Sequence, residues 1–179
     1  MHRSFTVLLA SAALVTLLAD SAWSQQVRRA EPLRGANENP PVVTDGSGNF
    51  RARLFQNRIE YRLRYDIASE ETASDATAAH LHVANPGNNG GIVAFLCANS
   101  PPDGVTTPTC PESPGVVEGE IVADDVLEVS EGDPAVTVVE AGDLDALARL
   151  IRQGAVYANV HSNDHPAGEV RGQLSPRIR

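Results

Sequence analysis

Five histidines occur in the 179-residue chain, and four of them fall into two tight pairs, His80 with His82 and His161 with His165. Side chains alternate across a β-strand, so His80 and His82 leave one face about 7 Å apart along the chain. Leu81 and Val83 leave the other face. The segment 155–161 divides in the same way. Val156, Ala158 and Val160 make an apolar face, while Tyr157, Asn159 and His161 make the opposite one. The turn Ser162-Asn163-Asp164 can fold His165 back towards His161. If the two strands are neighbours, four imidazoles converge. Neutral imidazole is the commonest side-chain ligand for zinc and copper, with zinc bonds of about 2.0–2.1 Å. An all-nitrogen set suits Cu(II) in tetragonal geometry or Zn(II) in tetrahedral geometry. Asn159, Asp164 and Glu169 are the residues placed to orient the rings from behind. Ligand imidazoles must be neutral, so metal affinity is expected to fall below about pH 6.5. The competing reading is a metal-free polar cluster in which the rings hydrogen-bond Asn159 or Glu169. A general acid–base role is the third.

Strands must position these residues, and the dominant sequence period is two. From 58 to 66, Ile59, Tyr61, Leu63 and Tyr65 alternate with Glu60, Arg62 and Arg64. That is the pattern of a half-buried strand. Before it, Phe50, Ala52 and Leu54 alternate with Arg51 and Arg53, and Gln56-Asn57 between the runs predicts a hairpin. Further strands are expected at 33–38, 78–83, 91–96, 116–122, 135–139, 155–161 and 169–174. Gly and Pro clusters separate them. The chain therefore reads as all-β, an immunoglobulin-like or Greek-key β-sandwich or barrel with one short connecting helix. The helix begins at the N-cap Asp143, carries Asp145 in its first turn and Arg149 and Arg152 in its last, and stops at Gly154. Leu144, Leu147, Ala148 and Ile151 form its apolar stripe.

The chain opens with the features of an export signal. Arg3 is followed by an apolar stretch over 5–18, and Ala22-Trp23-Ser24 offers small residues for cleavage before Gln25. Residues 1–24 are thus expected to be a signal peptide, with an uncleaved anchor as the rival. No membrane insertion is expected after cleavage, because no second apolar run approaches the roughly 20 residues a span needs. The protein is expected to be secreted or periplasmic. Its two cysteines, Cys97 and Cys110, then read as one disulfide, with thiolate metal ligation as the alternative. The chain has no lysine, and a net charge of −9 argues against nucleic acid and anionic membranes as partners. There is no Gly-x-Ser-x-Gly elbow and no phosphate-binding glycine loop. The acidic run Asp124-Asp125, Glu128, Glu131, Asp133 lacks the spacing of a calcium loop and reads as a solvated hairpin edge.

Three stretches carry a family resemblance. Leu33-Arg34-Gly35-Ala36-Asn37-Glu38-Asn39-Pro40-Pro41-Val42 resembles the opening signature of the CHRD domain, named for its repeats in chordin. Ala79-His80-Leu81-His82 with Gly90-Gly91-Ile92-Val93 resembles its central motif. The run from Val156-Tyr157-Ala158-Asn159-Val160-His161 through Glu169-Val170-Arg171-Gly172-Gln173-Leu174 resembles its closing motif. The likeness covers about residues 31–175. It implies an extracellular β-sandwich or barrel. In chordin the repeats belong to a growth-factor-binding protein, and secreted bacterial members stand alone without an agreed biochemical role.

Three functions follow as expectations. The first is an exported, non-enzymatic CHRD binding module with a four-histidine copper or zinc site and an unknown extracellular or periplasmic partner. The second is an oxidoreductase similar to copper-only superoxide dismutases, which need about four histidines; the negative charge opposes steering of the superoxide anion. The third is a structural or adhesive module in which the histidines stiffen the sheet.

Overall fold

A computed structural model describes residues 26–30, 32–67, 76–132 and 135–175. The expected export segment, 1–24, lies outside the described residues. The strands are β1 (Gln26–Arg29), β2 (Leu33–Arg34), β3 (Ser47–Leu54), β4 (Ile59–Asp66), β5 (Ala76–Val83), β6 (Ile92–Ala98), β7 (Gly115–Ile121), β8 (Val129–Glu131), β9 (Val136–Val139), β10 (Val156–Ser162) and β11 (Val170–Gln173). One α-helix, α1 (Leu144–Gln153), precedes β10.

Alternation decides which faces are buried. Along β3 and β4 every second residue is buried and most of the others are exposed, as the hairpin pattern predicts. Leu54 pairs with Ile59 across the short turn, and the ladder runs to Ser47 opposite Asp66. Strand β2 pairs with the start of β3 and β1 with its end, so they share the edge that β4 leaves free. The main sheet is antiparallel throughout, in the order β6-β5-β10-β11-β2-β3-β4-β7.

This single sheet curls until its end strands face each other, giving a nearly closed barrel. Gly119 lies opposite Tyr61 on β7, and a Cβ there would stand 2.6 Å from the Tyr61 hydroxyl. The missing side chain lets the tyrosine cross β7 and donate its hydroxyl proton to the Leu96 carbonyl of β6 at 2.7 Å. The Leu127 amide, beyond β7, donates to the Val93 carbonyl at 2.9 Å. The disulfide Cys97–Cys110 ties β6 to the segment entering β7. The core inside the curl holds Leu33, Leu63, Leu81, Leu96, Ile121 and Val160 among others.

Helix α1 covers one end of the core with Leu147 and Ile151, both fully buried. The Asp143 carboxylate accepts from the Ala146 amide at 2.7 Å, and Gly154 adopts the left-handed stop at φ 79°. The acidic run leads into the β8–β9 hairpin, where Ser130 pairs with Thr137. No helix among the described residues is long and apolar enough to cross a membrane.

One expectation changes, and one strand is new. The strand expected over 33–38 ends at Arg34, and a 3-10 turn over Gly35–Asn37 takes its place, closed by the Glu38 amide on the Gly35 carbonyl. A Cβ at Gly35 would overlap the Val42 carbonyl, so the returning chain packs onto this turn. Strand β1 was hidden because its sequence directly follows the expected cleavage site.

The disulfide closes a ring with a sequence separation of 13, and removing it should cost about 3 kcal/mol through loop entropy. Urea denaturation of the Cys97→Ala, Cys110→Ala double variant at pH 7 should show that loss.

Candidate functional site

Strands β5 and β10 are neighbours, which is the condition the histidine reading required. They pair antiparallel, with Asn159 opposite His80, Tyr157 opposite His82 and His161 opposite Ala78. Residues directly opposite share a face, so the three imidazoles emerge together. Phe95 of β6 lies opposite His80, and Arg171 of β11 lies opposite Asn159. Ala79, Leu81, Ala158 and Val160 leave the other face and fill the core.

The histidines therefore stand on the outer wall of the barrel, yet His80 and His82 are only 6% and 8% exposed. Loops cover them. Gly90 approaches β5 so closely that a Cβ would overlap the Val83 carbonyl, and its own carbonyl reaches His82. The Arg171 guanidinium holds the same loop by donating to Asn89 Oδ1 at 2.8 Å and to the Asn88 carbonyl at 2.9 Å. Gly168, at φ 125°, lets the turn after β10 close against Asn159 and Glu38.

One nitrogen from each of His80, His82 and His161 lies within 4.8 Å of the other two. His80 Nδ1 is 3.2 Å from His161 Nε2. Two backbone carbonyls fix the tautomers. His82 Nδ1 faces the Gly90 carbonyl at 2.8 Å, and His161 Nδ1 faces the Pro166 carbonyl at 3.0 Å. A carbonyl oxygen only accepts, so both Nδ1 atoms carry the proton and both Nε2 atoms present lone pairs. His82 Nε2 is buried without a hydrogen bond of normal geometry among the described residues, and the Asn159 side chain is the polar group beside this ring. His161 Nε2 lies 3.2 Å from Asn159 Oδ1, a second acceptor. Acceptors converging without enough donors are what a cation site presents.

Ring contacts hold the cluster. His80 meets Phe95 edge-on at 4.5 Å, and His82 stacks on Tyr157 at 4.7 Å. Arg171 lies 4.0 Å over the same tyrosine ring. Burial, reinforced by the neighbouring His161 and His82, pushes the His80 pKa down to about 3. Burial also lowers His82 against the opposing Gly90 hydrogen bond, and His161 against that of Pro166. Burial pushes the Glu38 carboxyl up to about 7, against the attraction of Arg171. The expected loss of neutrality near pH 6.5 is thereby corrected: desolvation keeps the three rings neutral further into acid.

The fourth expected ligand, His165, does not join them. The turn uses its backbone instead: its amide donates to Ser162 Oγ at 3.1 Å, and its carbonyl accepts from the Gly168 amide at 3.0 Å. That geometry delivers the Pro166 carbonyl to His161 rather than a fourth ring. Asn159 stands beside His161. Asp164 is exposed and bonds no ring. Glu169 is buried, but it accepts from the Thr44 hydroxyl at 2.8 Å rather than orienting a histidine, and its Oε2 has no partner among the described residues. Sequence reasoning missed the carbonyls of Gly90 and Pro166, which no side-chain motif announces. It also missed the roles of Phe95, Tyr157 and Arg171, of which Tyr157 was legible from its place on the His161 face.

Neither a curated protein nor a solved structure matches the chain. The family model of the CHRD domain matches residues 30–174, which span all three histidines of the cluster and both cysteines. The chain belongs to the CHRD domain family.

Proposed function

We propose that the protein is an exported, non-enzymatic CHRD binding module that holds one copper or zinc ion on His80, His82 and His161. The observation that carries this reading is the convergence of three neutral imidazoles, with a buried His82 Nε2 that lacks a hydrogen bond of normal geometry. Metal bonds of about 2 Å keep ligand nitrogens within about 4 Å of one another, close to the 4.8 Å within which the three ring nitrogens lie here. Asn159 Oδ1 is the fourth protein donor within reach. The oxidoreductase alternative drew on four imidazoles, and three assemble. Export is supported by the disulfide, which forms in oxidising compartments. The partner is left as an extracellular or periplasmic one. The structural-module alternative is favoured by one observation, the direct His80–His161 contact, and metal analysis separates it from the first.

Protein incubated with copper or zinc, desalted and analysed for metal should retain close to one ion per chain. A stoichiometry near zero overturns the reading. His82→Ala should lose the ion while its circular dichroism stays that of a folded β protein, and His165→Ala should keep it.

Protonation sets a second expectation. In the metal-free protein the three lowered histidines stay neutral when folded and charge when unfolded, so the unfolded state binds more protons as pH falls below about 6.5. Their contribution to stability is present above that pH and is lost on the way down to the folded-state values, about 3 for His80. Glu38 has the opposite sign, since its contribution is lost as pH rises from 4.5 to about 7. Three groups outweigh one, so stability should fall by on the order of 1 kcal/mol or more per pH unit between pH 6 and 5. Urea melts at the two pH values measure it. A flat profile would mean that the rings are hydrated.

A further inference from the structure

The outer face of β1, β3 and β4 carries a block of arginine that the metal reading does not use. Arg51 lies directly opposite Arg29 of β1 and directly opposite Arg62 of β4. Arg64 follows two residues along β4, opposite Asn49. All four arginines are exposed, and with Asn49 they line a shallow concavity of about 660 Å³. Like charges directly opposite on a sheet repel, so this arrangement stands against its own electrostatics. Only Arg62 meets an acid, Glu118 at 2.7 Å. Arg29, Arg51 and Arg64 form no ion pair among the described residues. Further along the same face the charges cancel, with Arg53 and Arg58 against Glu60 and Arg58 also against Glu120. Among the described residues, a protein of net charge −9 thus keeps three neighbouring arginines on this face without an ion pair.

We propose that this face binds a polysaccharide carrying sulfate or phosphate esters. Each guanidinium is a planar fork that takes an oxyanion through two parallel N–H bonds. Strand spacing of about 4.8 Å, and about 6.7 Å between alternate residues, sets a grid that serves repeated anions. Charge complementarity selects a polyanion, and the absence of exposed aromatic stacking platforms among the described residues selects a glycan over nucleic acid. Single strands are held by exposed aromatic rings, whereas the exposed large apolar residues here are all valines. The negative remainder of the surface also repels a long, stiff duplex while a flexible glycan lies within the patch.

The full chain should be titrated against dextran sulfate, phosphorylated dextran and plain dextran. Binding to one or both esters, none to plain dextran, and weakening as salt rises is the expected result. The Arg51→Gln, Arg64→Gln variant should lose about tenfold or more in affinity and show a shallower salt dependence. Arg149→Gln, on the exposed face of α1, should bind as the wild type does. No binding to either ester at 50 mM salt, or an equal loss in Arg149→Gln, overturns the site. Equally tight binding of single-stranded DNA overturns the choice of polysaccharide.

Discussion

Strand β10 meets β5 with Asn159 opposite His80, and the chemistry of the protein depends on that register. Side chains alternate along both strands. A slip of one residue would turn His80, His82 and His161 into the core and expose Leu81, Ala158 and Val160. The apolar residues forbid it, because each is fully buried. The core thus acts as the clamp that sets the imidazole positions. Irregularities refine the placement. The β5–β6 ladder shifts register on either side of the His80–Leu81 step, and the β5–β10 ladder shifts after His161. Such bulges re-aim side chains at the points where they occur.

The same pairing makes β5 and β10 unlike β3 and β4. Strand β3 is buried on one face only, whereas β10 is buried at six of its seven positions on both faces. A polar layer therefore sits between the sheet and its covering loops. Desolvating such groups is costly unless they are hydrogen-bonded, and a buried atom left without a partner costs on the order of 1–3 kcal/mol. His82 Nε2, Glu38 Oε1 and Glu169 Oε2 are three buried atoms without a hydrogen bond of normal geometry among the described residues, all in one covered region. Folding tolerates them because Arg171 ties the covering loop to β11 and lies over Tyr157, on which His82 stacks. A bound cation would offset the histidine part of this cost. For Glu38, retention of a proton is the alternative, which its raised pKa reflects.

What the sequence revealed was whatever is decided locally. Asp143 and Gly154 bound the helix because capping involves only neighbouring backbone groups. Alternation marked β3 and β4, and Gln56-Asn57 marked their turn. Of the acidic run, Glu131 lies on β8, whereas Asp124 and Asp125 form a 3-10 turn before it and Asp133 lies outside the described residues. The pairing of residue 80 with residue 159 was an assumption, because nothing in either segment names its neighbour. The position of His165 failed on a finer point. Whether a short turn returns a side chain or a carbonyl depends on which backbone groups close it, and here Ser162 and Gly168 decide. Both carbonyls that set the tautomers belong to loops, where composition carries no direction.

Charge shows how a global quantity misleads at short range. The excess of acid in the whole chain argued against nucleic acid and anionic membranes, and it governs encounter at distances beyond a Debye length, about 8–10 Å. Contact is decided by the nearest few groups. On the outer wall of one sheet, the chain builds two local environments that its average conceals. Around β5 and β10, burial strips charge from three histidines. Around β1, β3 and β4, three exposed arginines form no ion pair among the described residues. Strands β11 and β2 lie between them in the sheet, so the two can act without sharing a residue. Each is legible only after the strand order is known, because each draws its members from segments far apart in sequence.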